Sequence, residues 1–90
     1  MTYESEIESL RREINRLNLE IIEKLAKRAE TARRIGDVKK KHGMPIVDKS
    51  REAKVYQQIR ELAENENLDP KKVEKVFKEI VELCTEVQTE

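Results

Sequence analysis

Apolar residues recur at Ile7, Leu10, Ile14, Leu17 and Ile21 in steps of three and four, with charged side chains filling most positions between them. That period is helical, and the spacing is that of a coiled-coil seam. The stripe continues less strictly through Leu25, Ala29, Ala32, Ile35 and Val38. No proline interrupts the stretch and Gly36 is its only glycine, so the pattern predicts one long helix over about 5–41. Ser5 followed by Glu8 fits a capping box that would start it. Such a helix would be roughly 55 Å long, more than a globule of this chain length is wide. Part of its stripe therefore needs a second chain to cover it.

His42-Gly43-Met44-Pro45 ends this helix, with Gly43 suited to the left-handed position after the last turn and Pro45 barring continuation. Asp48 is placed to cap a second helix over about 49–64, with Ala53, Tyr56, Ile59 and Leu62 or Ala63 facing inward. Asn65-Glu66-Asn67 breaks it. The third start signal is the clearest: Asp69 caps, Pro70 takes the first helical position, and Leu68 can staple onto Val73. This helix should run over about 70–88, with Val73, Val76, Phe77, Ile80, Val81, Cys84 and Val87 on its apolar face. The fold class is all-α, one long helix plus two shorter ones in a single domain spanning 1–90.

Composition sharpens this picture. Charged residues are 42% of the chain and aromatics 3%, a balance that suits long exposed helices rather than sheets. Nineteen basic and nineteen acidic side chains cancel, which argues against the broad positive field of a nucleic-acid binder. Only the short runs Arg33-Arg34 and Lys39-Lys40-Lys41 keep a weak anion-binding reading alive. One cysteine cannot form an internal disulfide, and Glu4, Glu6 and Glu8 close behind Met1 are unlike the basic start of a signal peptide. The reading is cytoplasmic. No apolar stretch approaches the roughly 20 residues needed to cross a bilayer, so no membrane role is expected.

Most enzyme constellations are missing. One His and one Cys, without paired spacing, cannot supply a zinc site, so no metal is expected. There is no glycine-rich phosphate loop and no nucleophile elbow. What stands out is cations where apolar residues should run. Arg11 lies beside Leu10, and Arg28 sits three residues past Leu25. Arg28 and Lys39 are eleven residues apart, three helical turns plus about 20°, so they share a face and could lean toward one small anion. Arg11 is seventeen residues from Arg28, about 25 Å along the axis and roughly 100° around it. If all three grip one small ligand, Arg11 must come from another subunit. The bland alternative is that these cations lay their methylene stems over the core and keep their charges in water.

The ordered pieces Leu10-Arg11, Ala26-Lys27-Arg28, Gly36-Asp37-Val38-Lys39, Pro45 through Asp48 to Arg51-Glu52, and Gln88 resemble the all-helical, AroQ-type chorismate mutases. The resemblance covers essentially the whole chain. It implies an intertwined helical homodimer with two sites, each taking Arg11 from the partner subunit. It implies that Arg11, Arg28 and Arg51 hold the two carboxylates of chorismate, where the guanidinium fork gives bidentate orientation. Lys39 and Gln88 would donate to the ether oxygen of the breaking bond, and Glu52 would accept from the ring hydroxyl, with the backbone near Asp48 assisting. Cys84 stands where a Ser often contributes a polar contact; its other reading is a small buried apolar residue.

The implied reaction is an intramolecular rearrangement of chorismate to prephenate, which needs no nucleophile, cofactor or metal. Two rival readings stand beside it. A lyase of the same fold that eliminates pyruvate from isochorismate would use the same clamps, and a non-catalytic helical dimerisation or regulatory module would make the aligned cations incidental.

Overall fold

The computed structural model describes residues 2–89. They form three helices, α1 (Tyr3–Lys41), α2 (Lys49–Asn65) and α3 (Pro70–Val87), and no strand. The first helix starts two residues earlier than expected. Thr2, not Ser5, is the N-cap: its hydroxyl accepts from the Ser5 N–H, and the Ser5 hydroxyl accepts from the Thr2 N–H, both at 3.2 Å. A capping side chain three residues upstream lets the helix extend to meet it, so Ser5 closes the box as its inner member and Glu8 has no part in it.

The other boundaries follow their local signals. Gly43 takes φ 65°, with its N–H on the Lys40 carbonyl and the Met44 N–H on the Lys39 carbonyl at 2.8 Å. This is a Schellman ending. The end of α2 repeats it with Asn67 at φ 59°, its N–H on the Glu64 carbonyl and the Leu68 N–H on the Ala63 carbonyl. Asp48 caps α2 through the Arg51 N–H, and Asp69 caps α3 through the N–H groups of Lys71 and Lys72.

α3 is the element that packs against both others; α1 and α2 make no close backbone approach to each other. The α1–α3 seam is built from small residues. Ala29 and Ala32 meet Cys84, with Ile80 and Val87 packed alongside, and buried Gly36 meets Gln88. Rising numbers on one helix meet rising numbers on the other, so α3 runs alongside the second half of α1 in the same direction. α2 returns between them in sequence, tied to α3 by an ion pair between Arg60 and Glu74.

The first half of α1 is uncovered. From Tyr3 to Lys24 every residue except Ile7 is exposed, and Leu10, Ile14 and Ile21 expose 56%, 56% and 62% of their surface. The chain measures 62 × 26 × 15 Å, and its radius of gyration of 17.2 Å exceeds the roughly 12 Å of a compact domain of this length. Of the expected inward residues, Ala63 is buried and Tyr56 and Ile59 half-buried, whereas Ala53, Leu62, Val76, Ile35 and Val38 are exposed. No described helix is long and apolar enough to cross a membrane.

Asn67 gives a direct check on the α2 ending. Replacement by Ala, whose Cβ opposes a left-handed backbone, should cost about 1 kcal/mol in urea denaturation, while replacement by Gly should cost nothing or stabilise.

Candidate active site

Three helix ends converge on one cleft of about 350 Å³, a size suited to a small metabolite. α1 lines it with Arg28, Thr31, Ile35 and Lys39. The connection and the start of α2 contribute Ile46, Asp48, Arg51, Glu52 and Val55. The last turns of α3 supply Val81, Cys84, Thr85 and Gln88. All the candidate residues singled out from the sequence are therefore gathered here except Arg11. Because α1 is unbroken, Arg11 lies about 25 Å up the helix, exposed, and cannot reach the cleft of its own chain.

Lys39 organises the floor. Its ammonium donates to the Ile46 carbonyl, and to the Gln88 Oε1 at 3.2 Å. The Gln88 amide nitrogen donates to the Cys84 carbonyl at 3.2 Å. An ammonium has three donors and an amide nitrogen two, so each side chain keeps one N–H uncommitted. The cleft thus offers two neighbouring donors for an incoming oxygen.

Its charge is equally defined. Three cations, Arg28, Lys39 and Arg51, face two carboxylates, Asp48 and Glu52, leaving one net positive charge. The N-terminus of α2 opens on the same space and adds the partial positive charge of its free N–H groups. The Asp48 carboxyl is held below its ordinary value of 3.8, first by the Arg51 N–H, then by the Ser50 hydroxyl, with Lys39 adding a smaller effect. Its capping contribution is therefore present above that value and lost only as pH falls through the lowered one.

Tyr56 stands behind the cleft. Burial raises its phenol above 10.0, Glu52 and then Glu74 push the same way, and Arg28 opposes them. Among described residues no group of three or more His, Cys, Asp or Glu is placed to hold a metal ion.

The residues that sequence reasoning missed are informative. Thr31 follows Arg28 by one turn and would have emerged from extending that face; its hydroxyl donates to the Lys27 carbonyl at 3.0 Å. Val55 and Thr85 lay beside residues already chosen. Ile46 acts through its carbonyl, which no side-chain pattern reveals.

The chorismate mutase type II family model matches residues 10–89. The chain is 30% identical over 73 residues to the chorismate mutase of Methanocaldococcus jannaschii, covering 81% of this chain and 74% of that protein. It is 41% identical over 54 residues to the bifunctional chorismate mutase/prephenate dehydratase of Aquifex aeolicus, covering 60% of this chain and 15% of that protein. Against the T-protein of Haemophilus influenzae it is 35% identical over 78 residues, 87% of this chain and 21% of that protein. The chain thus spans most of the first of these relatives and less than a quarter of the other two.

The surroundings of Tyr56 can be tested in a Tyr3→Phe background, where it is the only tyrosine left. Its ultraviolet titration should have a midpoint above 10.0, and Glu52→Gln should lower that midpoint without bringing it fully back, since burial is the larger cause. Because the folded value is the raised one, Tyr56 should favour folding below pH 10.0 and cease to do so as pH climbs past its own midpoint.

Proposed function

The chain belongs to the chorismate mutase type II family, and we propose that it converts chorismate to prephenate on the route to phenylalanine and tyrosine, as a cytoplasmic, intertwined homodimer. The observation that carries this reading is the gathering of Arg28, Lys39, Arg51, Glu52 and Gln88 around one metabolite-sized cleft. Arg11, the remaining member of the pattern, lies out of reach on the first half of α1, where the apolar stripe has no cover among the described residues.

The chemistry needs neither proton transfer nor electron transfer to the protein. In a 3,3-sigmatropic rearrangement the ether C–O bond breaks as a new C–C bond forms within the same molecule. The protein has to hold the compact diaxial conformer and favour the negative charge that grows on the ether oxygen. Arg28 and Arg51 take the two carboxylates, with Arg11 of the partner subunit adding a third guanidinium. That arginine raises the net charge of the cleft from one to two, matching a dianion. The uncommitted N–H groups of Lys39 and Gln88 meet the ether oxygen. Glu52 accepts from the ring hydroxyl, assisted by the backbone at Asp48. Cys84 contributes the shape of the wall and, through its carbonyl, the orientation of Gln88. An acceleration on the order of 10⁶ corresponds to about 8 kcal/mol, a reasonable sum for orientation and two well-placed donors.

Incubation of the purified protein with chorismate should consume the diene absorbance and yield prephenate. Salicylate and pyruvate from isochorismate would instead identify a lyase, and no turnover would reject catalysis altogether. Gln88 is neutral at every pH and needs no proton to donate, so activity should stay nearly flat from mildly acidic to mildly alkaline solution. A steep fall above pH 6 contradicts that assignment.

Sharing of the site has its own check. Arg11→Ala and Arg28→Ala should each be inactive alone, whereas mixing them under subunit exchange should restore about a quarter of wild-type activity, since half the dimers then carry one intact site of two. Absence of recovery with confirmed exchange means that the sites are not shared between subunits.

A further inference from the structure

Gly36 is buried at the point where α1 passes the end of α3. A Cβ built there would lie 2.9 Å from the Gln88 Cα, 2.9 Å from its Cβ and 3.0 Å from its carbonyl oxygen. Contacts that short with main-chain atoms cannot be relieved by turning a side chain; the end of α3 would have to move. Helix propensity argues for Ala at an interior helical position, so local preference does not account for a glycine here. Close approach of a second backbone does.

The neighbours of Gly36 give that approach a meaning. Lys39 is three residues further on, the adjacent position on the same face of α1, and its ammonium lies 3.2 Å from the Gln88 Oε1. One face of α1 thus receives the backbone of residue 88 against a glycine and grips its side chain with a lysine. Gln88 is also the C-cap of α3, its N–H shared between the Thr85 and Glu86 carbonyls. A residue at a helix end can swing outward without unravelling the helix, so its place must be fixed by what it rests on.

We propose that Gly36 is a positioning residue: its missing side chain sets the depth at which residue 88 docks on α1, and so holds the Gln88 amide on Lys39 and toward the reacting oxygen. The catalytic consequence rests on the chorismate mutase reading; the structural one does not. An added methyl pushes residue 88 outward and separates the donor pair, while Arg28 and Arg51, which are not among its nearest contacts, keep their places.

Gly36→Ala tests this. Turnover should fall on the order of 100-fold, as for a catalytic group displaced by about 1 Å, with KM changed less than about threefold. In a Gln88→Ala background the same substitution should change turnover less than about twofold, because the group it displaces is already gone. Equal losses in both backgrounds, or full turnover in Gly36→Ala, overturn the proposal. A second readout is independent of catalysis. In the wild type, Lys39→Ala should shift the NMR resonance of the Gln88 side-chain amide; in the Gly36→Ala protein it should not, and a persisting shift overturns the proposal even if the wild type proves inactive on chorismate. If Gly36→Ala fails to fold, truncation after Val87 should restore folding by removing the clash, and failure to restore it places the role of Gly36 elsewhere.

Discussion

The ammonium of Lys39 is the point on which the cleft depends. A half-buried cation is stable only where oxygen acceptors replace its hydration. Here they come from the Ile46 carbonyl, just past the end of α1, and from the amide of Gln88 in the closing turn of α3. One charge thereby holds together the end of α1, the approach to α2 and the end of α3. The small residues along the α1–α3 seam make this possible, because only Ala29, Ala32 and Gly36 allow the two backbones close enough for a lysine to reach across.

Fold and site share a second dependence. The chain buries only Ala29, Ala32, Ala63 and Cys84 as apolar core among its described residues, too little for so long a chain to stand on. The uncovered stripe on the first half of α1 is the surface that remains to be used. In the proposed dimer that same half-helix both completes a neighbour's core and delivers a guanidinium to its cleft, so assembly and chemistry draw on one element. Arg11 is then remote in its own chain for the same reason that Leu10 and Ile14 are bare.

Much of this was legible in the sequence because helix boundaries are local events. Asp48, Asp69 with Pro70, and Gly43 each mark a cap through their own side chain or backbone freedom, and the ends of α2 and α3 fell within a residue of expectation. The start of α1 shifted because Thr2 and Ser5 are both competent caps and the outer one lengthens the helix. Inward faces were harder to read. Periodicity shows that Ile35, Val38, Leu62 and Val76 are apolar, but not which partner covers them, and within one chain they are exposed. Helical spacing pointed to Arg11, Arg28 and Lys39, the family resemblance added the other site residues, and all but Arg11 share one cleft. The Ile46 carbonyl and the Gly36 contact stayed invisible, since one is main chain and the other is the lack of an atom.

The placement of Gln88 at the very end of α3 has a thermal consequence. Terminal turns open at a far lower free-energy cost than the body of a helix, independently of global melting. The donor carried on that turn is retained by Lys39 and the Cys84 carbonyl rather than by a continuing ladder of helical bonds. The end of α3 is therefore the part of the cleft most open to fraying on warming, and the donor proposed there is only as durable as its two side-chain contacts.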